Sequence, residues 1–258
     1  MLKKIVIKLL NIFNLAIFRK RNADIIYLED WETLNQDQNK IFQNYQKSLE
    51  SSNSKKNNNL AKFSRFYLMS QFIELAIRNS VDNDNLAEVG VFKGHSARII
   101  HNLIQQNNKE LYLHLFDSFE GLSDFGSKDK EDSVIKDDKS REEMKLFFKA
   151  DAVSAVSLNE LNNTIVYKGW VPSKFEKVKD KLFKFVHIDV DLYEPTLDSL
   201  KFFYPRLKEG GVIICDDYNS REFPGARKAW DEYFGNEYED FFLTFPFGGC
   251  ALVKKDKV

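Results

Sequence analysis

The chain has 258 residues, of which 43% are hydrophobic and 30% charged, so it is long enough for one globular domain with a modest extension. Its net charge is −1, and without a basic excess we do not expect nucleic acid as a partner. Its two cysteines, Cys215 and Cys250, have neither metal-binding nor redox spacing, which excludes a disulfide scaffold and favours a reducing cytoplasm.

The N-terminal segment, residues 1–21, combines apolar and basic side chains in the sequence MLKKIVIKLLNIFNLAIFRKR. Its apolar runs are too short to span a bilayer, and no small-residue cleavage site follows, which argues against a secretory signal. Two interpretations stay open. The segment is either a basic amphipathic helix in peripheral contact with the inner face of the membrane, or a helix docked on its own domain or on a second copy of the chain. We expect a homo-oligomer.

A polar stretch separates this segment from the rest of the chain. Residues 48–59, SLESSNSKKNNN, read as an exposed linker. We therefore divide the chain into an N-terminal extension, 1–59, and a domain, 60–258. Apolar residues at helical spacing in LAKFSRFYLMSQFIELAIRN predict that the domain begins with a helix over 60–79.

Short apolar runs then alternate with helical segments. Five runs are predicted to be strands: Leu86–Val89, Leu111–Phe116, Thr164–Tyr167, Phe183–Ile188 and Val212–Cys215. A helix is predicted after the first strand, through about residue 106, and another over about 141–156. Residues 122–146 are rich in Lys, Asp, Glu and Ser and indicate an insertion or a mobile lid.

The chain closes with two further apolar runs, Phe241–Phe245 and Cys250–Lys254, around Pro246-Phe247-Gly248-Gly249. This pattern predicts a β-hairpin. Alternating βα units that end in an antiparallel pair predict an α/β fold with a doubly wound, mostly parallel sheet.

The first motif that carries chemistry is the turn Glu88-Val-Gly90-Val-Phe-Lys-Gly94-His-Ser96, between the first strand and its helix. Gly90 and Gly94 let the backbone turn tightly and approach a ligand closely. The start of the helix offers free N–H groups to a carboxylate or phosphate. Because the spacing differs from the dinucleotide pattern G-x-G-x-x-G, the turn alone does not identify the ligand.

An acidic residue, Asp117, ends the second strand. A carboxylate at that place can accept hydrogen bonds from ribose hydroxyls. Asp117 follows Gly90 by 27 positions (117 − 90), the length of one helix plus one strand. The pair favours a nucleotide-type cofactor, and the structural alternative is that Asp117 caps a helix.

Carboxylates also end the fourth and fifth strands. Asp189 and Asp191 follow the fourth, and Asp216 and Asp217 follow the fifth. Strand ends converge on one crevice in such sheets, and buried like charges there cost free energy unless a cation or a shared proton offsets them. We expect Asp189, Asp216 and Asp217 to bind Mg²⁺ or a similar cation. Asp191 is open as a fourth ligand, a base or a helix cap, and the structural alternative makes all four residues caps and solvated turns.

Together these motifs resemble the macrocin O-methyltransferase family of class I S-adenosylmethionine-dependent methyltransferases. In chain order the motifs are Glu88-x-Gly-x-x-x-Gly-x-Ser, Asp117-Ser-Phe-Glu-Gly-Leu, Gly169-Trp170, Asp189-x-Asp-Leu-Tyr-Glu-x-Thr and Asp216-Asp-Tyr. The resemblance covers residues 60 to 254 and implies a Rossmann-like fold with S-adenosylmethionine as methyl donor.

The resemblance also implies roles for individual residues. The methionine portion of the donor would be held by Glu88, Gly90, Gly94 and Ser96. Its ribose would contact Asp117, with Ser118 beside it, and its adenine would lie near Gly169 and Trp170. The metal ligands would be Asp189, Asp216 and Asp217. Because the lysine base of catechol-type relatives has no counterpart, Asp191, which stands near that place, is the expected base, with Asp189 beside it.

The resemblance therefore implies a metal-dependent O-methyltransferase that acts on a hydroxyl of a sugar, a glycan or a related small-molecule natural product. Two alternatives are a catechol- or phenol-type O-methyltransferase and a non-catalytic binding module at the membrane surface. Retention of all the carboxylates argues against the last, because a site without catalysis has no reason to keep their repulsion.

Overall fold

The computed structural model describes residues 36–52, 54, 60–150, 157–235, 240–246 and 248–255. The chain divides into two compact units, 1–37 and 38–258, and the architecture below is that of the second. The predicted N-terminal amphipathic helix, residues 1–21, lies outside the described residues.

The described helices are α1 (Gln36–Ser51), α2 (Leu60–Arg78), α3 (His95–Gln106), α4 (Ser127–Lys130), α5 (Asp138–Phe147), α6 (Tyr193–Phe203) and α7 (Pro224–Phe234), with 3₁₀ turns at Phe175–Val178 and Tyr204–Arg206. The strands are β1 (Asn85–Val89), β2 (Tyr112–Asp117), β3 (Thr164–Lys168), β4 (Phe183–Ile188), β5 (Leu207–Cys215), β6 (Phe241–Thr244) and β7 (Cys250–Val253). In the described ranges, none of the helices has both the length and the apolar character needed to cross a membrane.

The strands form one seven-stranded sheet in the order β3-β2-β1-β4-β5-β7-β6. The first five pair in parallel, and β7 runs antiparallel to both β5 and β6. The predicted doubly wound, mostly parallel sheet with a closing hairpin is therefore confirmed. Every residue of β1 and β4 is buried, including the polar Asn85, Glu88, Lys184 and His187, as expected for central strands of a parallel sheet that is covered on both faces.

The sheet is covered on both faces, as the alternation in β5 illustrates. Val212 and Ile214 point into a cluster with α1, α2 and α3, whereas Ile213 and Cys215 point into a cluster with α6 and α7. Successive strand residues face opposite sides, so the apolar run of β5 serves both layers.

Three regions differ from the sequence predictions. Helix α1 contributes Tyr45 and Leu49 to the core, so core contacts begin before residue 60. The helix predicted over 141–156 ends at Phe147; Phe148 leaves the helix axis and packs against Phe223, and residues 151–156 lie outside the described ranges.

The 122–146 insertion has a small core of its own rather than the form of an open loop. Phe125 and Ile135 are buried against Leu192 and Phe223, which tie the insertion to the starts of α6 and α7. Asp129 accepts a hydrogen bond from the backbone N–H of Tyr193 at 2.7 Å and thereby joins α4 to α6.

Candidate functional site

A cavity of about 440 Å³ opens at the carboxyl edge of the sheet, over the ends of β1, β2 and β4. Its size falls in the range of small-molecule sites. Aromatic and acidic side chains share its wall, and those used below are Phe92, Phe148, Trp170, Asp117, Asp189, Asp191, Glu194 and Asp198. Among the described residues that line it, six have carboxylates and none is a lysine or arginine, so the cavity is suited to a cationic ligand.

Gly90 forms the floor of the cavity where β1 ends beside β4. Its φ is +86°, and a Cβ built there would lie 1.8 Å from the carbonyl oxygen of Asp189. Only glycine fits so close to a neighbouring backbone, which accounts for the residue in structural terms. Gly94 also lies too close to its neighbour for a larger residue, because a Cβ built there would lie 2.7 Å from Cδ2 of Leu158.

Asp117 pins the two loops that border the cavity. Its Oδ2 accepts hydrogen bonds from the N–H groups of Val91 at 2.6 Å and Phe92 at 2.7 Å, and its Oδ1 accepts one from Phe119 at 2.6 Å. Phe92 and Phe119 both have positive φ, 50° and 58°, a conformation that costs a bulky residue about 1–3 kcal/mol. The carboxylate therefore stabilises two strained turns at once.

Three carboxylates converge next to the cavity. One oxygen from each of Asp189, Asp191 and Asp217 lies within 4.8 Å of the others, a grouping that could hold a metal ion. The backbone N–H of Asp191 donates to Asp217 Oδ2 at 3.2 Å, and Asp191 has a left-handed φ of 63°. Asp189 and Asp191 also line the cavity, so the acidic group and the cavity share a wall.

Burial of these carboxylates raises their pKa values. Burial and the neighbouring Asp216 raise the pKa of Asp189 to about 7, although His187 and Arg65 act in the opposite direction. The pKa of Asp191 is raised by burial and by Asp189, and that of Asp217 by burial and by Asp191. Such repulsion is what a divalent cation would relieve.

Asp216 has its own partners. Its Oδ2 accepts a hydrogen bond from Arg65 on α2, and its Oδ1 lies 3.9 Å from Nε2 of His187, too far for a hydrogen bond. Burial acts to raise the pKa of Asp216, but the charges of Arg65 and His187 outweigh it and hold the pKa below its ordinary value. Asp216 thus differs from the three grouped carboxylates in being paired directly with Arg65.

A second ion pair lies beneath the cluster. His187 Nδ1 is 2.8 Å from Glu88 Oε1, and both side chains are fully buried. Burial lowers the pKa of His187, yet the neighbouring carboxylates of Asp216 and Glu88 outweigh it and raise the pKa to about 10. The two carboxylates therefore favour the protonated form of His187, which would add a positive charge under the cluster.

The cavity brings together only part of the predicted cofactor site. Gly90, Asp117, Ser118 and Trp170 line it, as do Asp189 and Asp191. The other predicted cofactor residues, which are Glu88, Gly94, Ser96 and Gly169, lie outside the lining. Glu88 pairs with His187 on the neighbouring strand β4, and the Gly169 N–H donates to the carbonyl of Asp117, so both support the wall instead of forming it.

The acidic group likewise differs from the predicted metal trio. Asp189 and Asp217 belong to both, but by distance the third member is Asp191, because Asp216 turns toward Arg65. Sequence reasoning missed Arg65, which lies on α2, 151 positions before Asp216. It gave no role to Glu194, although this residue belongs to the fourth motif, and it missed Asp198; their i,i+4 spacing at the start of α6 was the available signal.

Comparison with known proteins gives a consistent family. The model of the macrocin O-methyltransferase (TylF) family matches residues 19–238. Demethyldecarbamoylnovobiocin O-methyltransferase of Streptomyces niveus is 28% identical over 175 residues, which cover 63% of this chain and 62% of the relative. A Streptomyces olivaceus enzyme, 8-demethyl-8-(2,3-dimethoxy-alpha-L-rhamnosyl)-tetracenomycin-C 4'-O-methyltransferase, is also 28% identical over 175 residues, with the same coverage.

The match thus spans less than two thirds of the length of these curated relatives. Among solved structures, that of the O-methyltransferase NovP superposes with a TM-score of 0.59 and 24% identity, covering 75% of this chain and 81% of that one. At that identity the likeness shows the fold alone.

Proposed function

Because its family model matches residues 19–238, the chain belongs to the macrocin O-methyltransferase family, and we propose that it transfers a methyl group from S-adenosylmethionine to a hydroxyl of a sugar or related natural product. The observation that carries the proposal is the wall shared by the cavity and the acidic group, formed by Asp189 and Asp191. That wall would bring a donor in the cavity next to an acceptor at the carboxylates. Proximity of this kind can supply a large part of the rate in a transfer between two bound molecules.

The cavity fits the donor in charge and in shape. The sulfonium group of the donor is cationic, and the charged side chains among the described residues that line the cavity are acidic, so the opposite charges attract. Asp117 would accept a hydrogen bond from the donor's ribose on the one Oδ1 lone pair that the loop N–H groups leave free. Phe92, Phe148 and Trp170 offer apolar surface for its adenine. Asp117 and Gly90 hold the loops in the shape that receives it.

The carboxylates fit a divalent cation. Hard oxygen ligands in a partly buried group suit Mg²⁺, and we propose Asp189 and Asp217 as ligands. Distance favours Asp191 as the third, and family resemblance favours Asp216. When bound, the cation supplies Lewis-acid help by lowering the pKa of the acceptor hydroxyl.

The remaining chemistry belongs to the side chains. We propose Asp191 as the base, because its carboxylate lies at the cavity wall beside Asp189 and Asp217. In that role Asp191 would not ligate the cation, and Asp216 would complete the ligand set. The acceptor hydroxyl would give its proton to Asp191 as its oxygen forms a bond to the methyl carbon and the carbon–sulfur bond breaks. His187 and Glu88, both buried, would hold the floor of the site rigid during the transfer.

The acceptor class rests on the family and on one relative's name. The Streptomyces olivaceus relative acts, by its name, on a rhamnosyl-bearing compound. A screen with labelled donor and Mg²⁺ against sugars, glycosylated natural products and phenols would identify the acceptor by mass spectrometry. Label on phenols alone would favour the catechol-type alternative, and no donor binding by calorimetry would favour a non-catalytic module.

Asp217→Asn gives the matched test of the acidic group. We expect it to abolish transfer while donor binding is retained, because Asp217 lies in the acidic group but outside the cavity lining. Asp180→Asn, at an exposed position, is the control. Full activity of Asp217→Asn, or of the wild type in chelator, would contradict the metal role.

A further inference from the structure

Arg65 brings a positive charge into the acidic group from outside the sheet. It lies on α2, and its Nη1 donates to Asp216 Oδ2. The Arg65 side chain is 26% exposed and that of Asp216 is 10% exposed, so the pair is partly shielded from water. Screening is weaker at such a place than for an exposed surface pair.

The fold holds this side chain in place. Its stem crosses the turn between β6 and β7 at Gly248, where an added Cβ would lie 2.9 Å from Arg65 Cδ. The same Cβ would lie 3.2 Å from the carbonyl oxygen of Asp216. Glycine thus leaves room for the arginine to reach Asp216.

The guanidinium also lies in the field of the whole acidic group. The charge of Asp216 acts on it most strongly, followed by those of Asp189, Asp217 and Asp191. A divalent cation among these carboxylates would therefore be repelled by the positive charge of Arg65. The cation and the guanidinium would also compete for the carboxylate oxygens of Asp216.

We propose that Arg65 competes with the divalent cation for the carboxylate of Asp216 and thereby sets the affinity of the site for that cation. The inference rests on the metal role in the proposed function. Arg65 is a positioning residue here, because it acts on Asp216 and does not line the cavity. The competition would also decide whether Asp216 or Asp191 completes the ligand set.

The test is Arg65→Gln in the full chain, with Mn²⁺ as probe and the free ion measured by electron paramagnetic resonance. We expect Mn²⁺ to bind about tenfold more tightly, since a like charge a few ångströms away is removed. Arg78→Gln, on the same helix but paired with Glu74 at the surface, should leave the affinity unchanged. Arg65→Lys keeps the charge and should stay near the wild type.

Thermal unfolding gives a second readout. In chelator, Arg65→Gln should unfold at a lower temperature than the wild type, because the mutual repulsion of the carboxylates is no longer offset by the arginine. Mn²⁺ should raise the unfolding midpoint of Arg65→Gln by more than it raises that of the wild type. If the wild type binds Mn²⁺ and Arg65→Gln binds it equally or more weakly, the proposed competition is refuted while the metal role stands. Absence of Mn²⁺ binding to both proteins would overturn the metal role itself and the inference with it.

Discussion

Asp117→Asn separates the two roles that a carboxylate at the end of β2 can have. The family pattern predicts that Asp117 binds the donor's ribose, whereas the structure has it accept three backbone N–H groups from two loops. Asparagine keeps the shape of the side chain but offers one oxygen and an NH₂ group that can only donate.

The loss of folding stability in Asp117→Asn depends on which of the three hydrogen bonds the asparagine can keep. The better amide orientation keeps its oxygen on Val91 and Phe92 and turns the NH₂ toward the N–H of Phe119, where donor meets donor. One hydrogen bond to a charged acceptor is lost, about 1.5–3 kcal/mol, and two become neutral, so we expect a loss of about 2–4 kcal/mol. That is a large share of the stability of a typical domain, yet it leaves the protein folded.

Urea unfolding of Asp117→Asn and the wild type without ligand measures this loss, and calorimetry with S-adenosylmethionine measures donor binding. Asp82→Asn is the control, because Asp82 accepts a single N–H bond, from Glu110 at 3.1 Å, at the exposed surface. We expect the control to change stability by less than about 1 kcal/mol. An unchanged unfolding midpoint for Asp117→Asn together with lost donor binding would refute the loop-pinning argument and leave Asp117 as a ligand alone.

Three further predictions concern the floor of the site. Gly90→Ala should destabilise the protein by several kcal/mol in thermal unfolding, because its Cβ would lie 1.8 Å from the Asp189 carbonyl oxygen. Gly235→Ala has a strained backbone (φ 73°, ψ −157°) but open space around its Cβ, so it should cost only the strain, about 1–3 kcal/mol; equal losses would contradict the close approach. In chelator, the contribution of Asp189 to urea stability, measured as the difference between the wild type and Asp189→Asn, should fall as pH rises between roughly 4 and 8. The folded pKa of Asp189, about 7, exceeds its unfolded value of 3.8, so this contribution is complete below 3.8 and is lost through 7. Mg²⁺ should flatten this slope, and a flat profile in chelator would count against the buried repulsion. Glu88→Gln should cost about 3–5 kcal/mol in the same assay, because it leaves the buried charge of His187 without its partner, and a loss under 1 kcal/mol would show that the pair is dispensable.

The ends of the strands could be predicted from the local sequence pattern. An apolar run such as Phe183–Ile188 fits a strand buried on both faces, and the carboxylate that follows it must leave the core. The positions of Asp117, Asp189 and Asp217 at one edge follow from parallel pairing alone. The pattern could not show that α1 joins the core, because its polar composition concealed the buried Tyr45 and Leu49.

Within the site, sequence by itself determined that acidic residues gather at this edge of the sheet, and tertiary structure decided which of them meet and what each one contacts. Asp191 and Asp216 both follow a strand, yet Asp191 joins the acidic group whereas Asp216 turns to Arg65, which is 151 residues away. Local periodicity reports burial, which is a property of one segment, whereas an ion pair depends on where two segments meet. For that reason the strand ends could be read from the chain, and the counter-ion on α2 could not.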